Sequence, residues 1–370
     1  MEQLDGGDGA RRDRRVSRRE VLVRATYGLG GVVAAGGAAA LVRPTAATAA
    51  APLGAPGTGS RATRLSGAAQ PRSVCSGRSA TMVVGETDTG QAVSWRSRDG
   101  RSWDEHRLPP PAPGEPDVWG VAAHGDRFVA VGSLLWQQPV RVRPDIAAED
   151  RSDVTFASAR RRPAVWWTVD GATWEGETLD GVGAVHAQLI AVSCHTDLLV
   201  AVGSTLDADG AQGDGGLVLV STDGTRWEHG EISGPDAGAL PEGSFTGVTA
   251  AGDAWFATSS DMAGGAVWTS VDGRHWSLVD ASRAQFAGMT LQGIAVRGRR
   301  VIVAATSLAD HRTSYHASLD GCRTWQGRPP RVRAMERIDT TTVMDVTVVD
   351  GEVVVVGTRS DVPVIEKGVG

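Results

Sequence analysis

Five places in this chain of 370 residues set a hydroxyl, a carboxylate and an indole at nearly constant spacing, groups that can donate, accept and stack. They are Ser97-x-Asp99 with Trp103, Thr168-x-Asp170 with Trp174, Ser221-x-Asp223 with Trp227, Ser270-x-Asp272 with Trp276, and Ser318-x-Asp320 with Trp325. Glycine follows each aspartate, and Asp-Gly supplies the positive φ values of a tight hairpin. Each set therefore reads as a strand end, a two-residue turn and a second strand led by tryptophan. The carboxylate can accept free amides of the turn and the hydroxyl can bond nearby backbone. The indole is an apolar wedge that buries roughly 150–250 Å². Turn geometry and packing account for every member, so the sets are expected to be scaffold.

Other reactive residues are sparse. Eight His are scattered without H-E-x-x-H or i,i+4 metal spacing. Cys194-His195 is a lone pair near a turn, expected to close a hairpin. Asp207, Asp209 and Asp214 share a Gly-rich loop but lack the spacing and terminal Glu of a calcium loop. There is no G-x-S-x-G elbow and no phosphate-binding glycine loop. No metal and no cofactor are expected. Tyr315, beside His316, is a weak catalytic candidate, and its expected place is between packed sheets.

The elements that carry these residues repeat. From about Arg72 a unit of roughly 50 residues recurs. A small-residue strand such as Val118-Trp-Gly-Val-Ala or Leu189-Ile-Ala-Val is followed by a turn. An apolar run such as Phe128-Val-Ala-Val-Gly132 or Leu198-Leu-Val-Ala-Val-Gly203 comes next, and the third and fourth strands flank the Asp-Gly turn. The aspartates lie 71, 53, 49 and 48 residues apart, the first gap being widened by an insertion within 134–163. Four short strands per unit predict an all-β propeller, and no segment beyond residue 72 sustains a helical apolar period. Six four-stranded blades are expected. The last unit holds three strands and ends in Val362-Pro-Val-Ile365, so its outer strand is expected from just before residue 72.

Composition narrows the function. Lys occurs once, at Lys367, against 36 Arg, as in GC-rich bacterial coding. The first 49 residues hold eight of the 37 basic and five of the 43 acidic residues, which leaves 29 against 38. That balance argues against nucleic-acid binding. Cys75, Cys194 and Cys322 are an odd number without C-x-x-C spacing and leave room for at most one bridge.

Ser17-Arg18-Arg19-Glu20-Val21-Leu22, then a Gly/Ala-rich apolar stretch and Ala47-Thr48-Ala49, resembles a twin-arginine export signal. The resemblance implies a signal over 1–49 carried by Arg18 and Arg19, handling by the twin-arginine translocase, and a secreted or envelope location. A membrane association would follow only from an uncleaved signal. Residues 50–71 read as an Ala/Gly/Pro linker and 72–370 as the propeller.

The repeat itself resembles the Asp-box of bacterial neuraminidases, Ser/Thr-x-Asp-x-Gly-x-x-Trp. Four copies here are one residue shorter, and the fifth has Cys322 in place of the glycine. The resemblance implies a propeller and raises the sialidases, which use an arginine triad, a Tyr–Glu pair and an acidic acid/base. An Arg-Ile/Leu-Pro motif precedes their first box, whereas Arg107-Leu108-Pro109 follows it here. Outside the leader Tyr315 is the one tyrosine, and no glutamate can be assigned to it.

The catalytic set is therefore not carried over. The expectation is a non-catalytic binding or scaffold module for a protein or carbohydrate ligand, with a sialidase-like glycoside hydrolase as the alternative. Loops on a rigid scaffold carry function. Two departures from the repeat fall on the face expected for ligands, the first with Trp136, Arg141 and Arg143, the second with Arg328, Arg331, Arg333 and Arg337. Their guanidinium forks suit carboxylate or phosphate.

Overall fold

The computed structural model describes residues 62–63, 65, 69–137, 159–180, 182, 186–206, 213–233, 244–261, 263–327, 342–349, 352–359 and 362–367. The first described strand is β1 (Ala62–Thr63). Blade 1 follows as β2 (Ala69–Ser76), β3 (Thr81–Thr87), β4 (Ala92–Ser97) and β5 (Asp104–Arg107). Blade 2 is β6 (Glu115–His124), β7 (Arg127–Gln137), β8 (Ala159–Thr168) and β9 (Glu175–Thr178). Blade 3 is β10 (Ala187–His195), β11 (Leu198–Leu206), β12 (Gly213–Ser221) and β13 (Glu228–His229).

Strand β14 (Glu231–Ser233) leaves blade 3 and pairs in parallel with the outer strand of blade 4. Blade 4 itself is β15 (Ser244–Ala251), β16 (Ala254–Ser260), β17 (Gly265–Ser270) and β18 (His275–Leu278). A one-and-a-half-turn helix, α1 (Asp280–Gln285), then leads to blade 5, which is β19 (Met289–Arg297), β20 (Arg300–Ser307), β21 (Thr313–Ser318) and β22 (Gln326–Gly327). Blade 6 is β23 (Thr342–Val349), β24 (Glu352–Arg359) and β25 (Val362–Lys367).

The protein is an all-β, six-bladed propeller. Its outer sixth-blade strand is β1, which pairs antiparallel with β25 through Ala62↔Glu366 and Thr63↔Ile365. That strand and the start of β2 lie inside the stretch read as linker, because strand pairing depends on backbone and tolerates a small-residue composition. Helix α1 likewise departs from the helix-free reading; six residues are too short for an apolar period to register.

Blade-to-blade packing forms the core. Because each blade is covered on both faces, β11 reads as a continuous Leu/Val/Ala run instead of alternating. Val74, Val83 and Trp95 of blade 1 pack with Val354, Val356 and Ile365 of blade 6, sealing the ring hydrophobically as β1 seals it by hydrogen bonds.

The repeated turns differ from a two-residue hairpin. Asp99 Oδ1 accepts the N–H groups of Arg101 (2.8 Å) and Ser102 (2.9 Å), and the Gly100 N–H donates to Ser97 Oγ (2.8 Å). The same pattern holds around Asp170, Asp223 and Asp272. Only the glycine is left-handed in each, for example Gly100 at φ 67° and Gly273 at φ 72°. Capture of two amides by one carboxylate lengthens the turn, and β5 starts only after Trp103. In the fifth copy Cys322 takes the left-handed conformation (φ 71°) alongside Gly321, and its N–H donates to Ser318 Oγ (2.9 Å).

The tryptophans close these turns. Trp276 is fully buried, and its indole N–H donates to the Gly273 carbonyl (2.9 Å). The Trp174 indole N–H crosses to Ser94 Oγ of blade 1 (2.9 Å). Trp103 and Trp325 are only partly buried, against the inter-blade clusters.

Candidate functional site

Each of the six inner strands carries one β-bulge near its start. The unpaired residues are Arg72, Trp119, Ile190, Thr246, Gln292 and Met344. A bulge re-aims its extra side chain and strengthens the local twist. In blades 1, 2, 3 and 6 the strand opposite supplies glycine there, whereas blades 4 and 5 have Ser259 and Ala305. A Cβ on Gly132 would sit 2.1 Å from the Asp117 carbonyl oxygen, and one on Gly203 1.9 Å from that of Gln188. Trp119, Ile190 and Met344 pack together although blades 3 and 6 are opposite in the ring, so these side chains meet on the propeller axis. Because the bulges lie near the starts of the inner strands, this axial floor is nearer the face of the inter-blade connections than the face of the aspartate turns.

A charged network borders the floor. The Arg72 guanidinium lies 3.9 Å from the Trp119 ring centroid and donates to the Val118 carbonyl (3.1 Å). It pairs with Asp117 and, at 3.2 Å, with Glu86. Arg161 of β8 pairs with the other oxygen of Asp117 and donates to Ser133 Oγ (3.2 Å). Burial alone would raise the Asp117 pKa, but Arg72 and Arg161 outweigh it and hold the carboxyl well below the usual carboxylate range. Arg72 is thus fixed by two carboxylates and an indole.

Next to Met344, Asp345 is fully buried. Burial pushes its pKa well up, against hydrogen bonds from the Ser73 hydroxyl and the Val74 and Val346 amides, and the neutral acid is favoured. Burial also raises Cys75, which feels Asp345 and Cys194. The three cysteines are buried free thiols.

The chemistry available on the axis is binding and orientation. Asp117 is held ionised and is not a proton donor near neutral pH. Asp345 favours the protonated form but has no solvent access. Tyr315 packs between blades 5 and 6 against Ala304, Val343, Val346 and Val355. Its phenol is pushed up by burial and then by the charge of Glu366, opposite to the direction that activates a nucleophile. Glu366 is the acidic neighbour the sequence did not provide, since it stands on the third strand of the next blade.

Other sequence candidates fall into packing or outside the described residues. The Leu108 side chain is buried and the Pro109 carbonyl accepts the Trp166 indole N–H (2.8 Å), so Arg107-Leu108-Pro109 supports blade 2. His195 meets Trp255 edge to face at 6.2 Å, and Cys194 is buried at the hairpin end. Trp136 is half-buried beneath Arg162, whose guanidinium is 4.7 Å from its ring centroid and which pairs with Asp180 at 3.7 Å. Arg141, Arg143, Arg328, Arg331, Arg333 and Arg337 lie outside the described residues, as do Arg18, Arg19, Asp207 and Asp209. Among the described residues, no group of three His, Cys, Asp or Glu could hold a metal ion. The sequence reading missed Arg72, Glu86, Asp117, Trp119 and Asp345. The one signal for them was the recurrent glycine closing the second strands, which marks where a bulge presses on its neighbour.

No protein-family model and no curated protein sequence matches the chain. Solved structures do resemble it. Trypanosoma rangeli sialidase bound to the inhibitor DANA aligns over 83% of this chain and 56% of its own, at TM-score 0.54 and 11% identity. The Hadza microbial sialidase Hz136 aligns over 81% and 65%, at 0.56 and 14%. The intramolecular trans-sialidase of Ruminococcus gnavus, bound to oseltamivir carboxylate, aligns over 84% and 94%, at 0.52 and 12%. The chain thus spans little more than half the length of the trypanosomal enzyme. At these identities the likeness establishes the fold, and the chain is built as a sialidase-like six-bladed β-propeller.

Proposed function

We propose that this protein is an exported propeller that acts as a non-catalytic binding or scaffold module for a protein or carbohydrate ligand at the cell envelope. One observation carries the reading: Arg72 and Arg161 share Asp117, and Arg72 also holds Glu86. The guanidiniums that could clamp a substrate carboxylate are matched internally. A ligand anion would have to displace a carboxylate held in a buried, hydrogen-bonded pair, and breaking such pairs costs about 3–5 kcal/mol.

The repeated Ser/Thr-x-Asp-Gly turns belong, on this reading, to an Asp-box framework with no part in chemistry. The loops with Arg141 and Arg143 and with Arg328, Arg331, Arg333 and Arg337 supply the ligand contacts. Export uses Arg18 and Arg19 and the twin-arginine translocase. Replacing both by lysine should retain the protein in the cytoplasm; unimpeded export would reject the route.

Capture of secreted proteins and glycans by the full chain tests the binding reading. Arg331→Ala with Arg333→Ala should weaken capture without lowering the melting temperature. Unchanged capture would remove that loop. The second reading is a sialidase-like glycoside hydrolase, supported by the fold of the solved sialidases and by an arginine, two carboxylates and an indole together at the axis.

A further inference from the structure

Among the described residues, three large apolar side chains are conspicuously exposed: Val169 (64%), Val271 (84%) and Leu319 (48%). Exposed valines and leucines scattered singly need no explanation. These three occupy one position of the repeat, the residue between the hydroxyl and the aspartate, in blades 2, 4 and 5. The turns joining third to fourth strands share one face of a propeller, so rotation about the axis brings the three tips to a common height. Their turns are rigid, since each aspartate ties down two or more donors.

Arginines stand close to two of the tips. Val169 lines a shallow hollow with Arg78 and Arg127, over the ring of Phe128. Leu319 stands in the turn that carries Arg323. Buried Cys322 of that turn packs in one cluster with Val296 and Val301, which flank the Arg297–Arg300 turn, so Arg299 and Arg300 are its neighbours. Val271 shares its turn with Arg274, and Gly273 of that turn lies against Leu198 and Trp255, whose hairpins carry the exposed Asp197 and Asp253. Arg78 pairs with Asp126 at 3.6 Å and Arg274 with Glu228 at 3.1 Å, both exposed pairs of the kind worth about 0–1 kcal/mol. Arg127, Arg299, Arg300 and Arg323 form no ion pair among the described residues. The five turn aspartates on this face direct their carboxylates at their own turn amides.

Coplanar, rigid, well-separated apolar tips suit a flat and deformable partner better than a groove-seeking peptide. Arginine beside the Val169 and Leu319 tips, in a chain that is acidic overall, favours an anionic one. We propose that the turn face docks this protein peripherally on an anionic lipid bilayer. Val169, Val271 and Leu319 enter the interface between headgroups, and the adjoining arginines bind lipid phosphates. This leaves the opposite face, with the loops proposed for ligand binding, directed away from the membrane.

The full chain should sediment with vesicles of equimolar phosphatidylglycerol and phosphatidylcholine, much less with phosphatidylcholine alone, and less as salt is raised. Val271→Asp with Leu319→Asp should lower the partition coefficient about tenfold. Arg299→Gln with Arg300→Gln should lower it about fivefold per charge removed. Both pairs sit at the surface, so unchanged melting temperatures establish that the variants are folded. The N-terminal segment is common to parent and variants, so the difference between them isolates the face. Absence of sedimentation by the parent, equal binding to both vesicle types, or undiminished binding by both variants would overturn the proposal. Capture of a protein through the tips without vesicle binding would overturn it equally.

Discussion

The Arg72 guanidinium lies over the Trp119 indole, 3.9 Å from its ring centroid, and joins the inner strands of blades 1 and 2 where all six blades converge. Both are bulge residues. The contact exists because two strands displace the same residue of their repeat toward the axis. Stacking desolvates one side of the guanidinium, while Asp117 and Glu86 neutralise its edge.

Removing one partner of this network should be costly. Asp117→Ala leaves Arg72 buried and short of a counter-charge, and it should destabilise the fold by about 3–5 kcal/mol. Adding Arg72→Met to Asp117→Ala should recover part of that loss, because the unbalanced charge then leaves with the side chain and Trp119 keeps an apolar cover. Urea unfolding of the two variants measures the difference. Equal losses would show that packing, not the buried charge, sets the cost.

Asp345 contributes in the opposite sense. Its folded-state pKa is raised, so the folded protein binds the extra proton. Stability is therefore fully present below the unfolded carboxyl pKa and declines as pH rises from there toward the folded value. Asp345→Asn mimics the neutral acid and should raise the melting temperature at pH 7 by a few degrees, with little gain near pH 4. A lower melting temperature at pH 7 would show that Asp345 is held ionised.

The turn aspartates have depressed values. Backbone amides and neighbouring hydroxyls hold Asp223 and Asp320 down to about 2. Their contribution is present above the unfolded carboxyl pKa and is lost as pH falls through about 2. Acid unfolding of Asp223→Asn should accordingly be shallower below pH 4 than that of the parent. An unaltered acid limb would show that the turn is held without its charge.

The hairpin tryptophans should rank by burial. Trp276→Ala empties a fully buried site and should cost about 3–5 kcal/mol, whereas Trp103→Ala, at a partly exposed site, should cost clearly less. Thermal unfolding of both variants checks the order.

These contrasts mark what the sequence could disclose. Asp99 to Trp103 and its four counterparts were legible because each copy solves one local problem with the same residues. The blade count and the closing strand followed from their spacing and from the three-stranded last unit. The axial floor was not legible in this way. Arg72, Trp119, Ile190, Thr246, Gln292 and Met344 share a bulge and no chemistry, and a bulge depends on pairing that periodicity does not reveal. Asp117 meets Arg161 across two strands and an insertion, so no short motif joins them. Tyr315 feels the charge of Glu366 only because consecutive blades pack face to face.

Hydrolysis of a fluorogenic sialoside by the purified chain, run beside Arg72→Ala and Asp117→Asn, bears most directly on the claim that the matched charges at the axis hold the fold and do not catalyse. Release at the buffer rate by all three proteins is the predicted result. Turnover by the parent that disappears in both variants would contradict it and make the matched Arg72–Asp117 pair part of an active site.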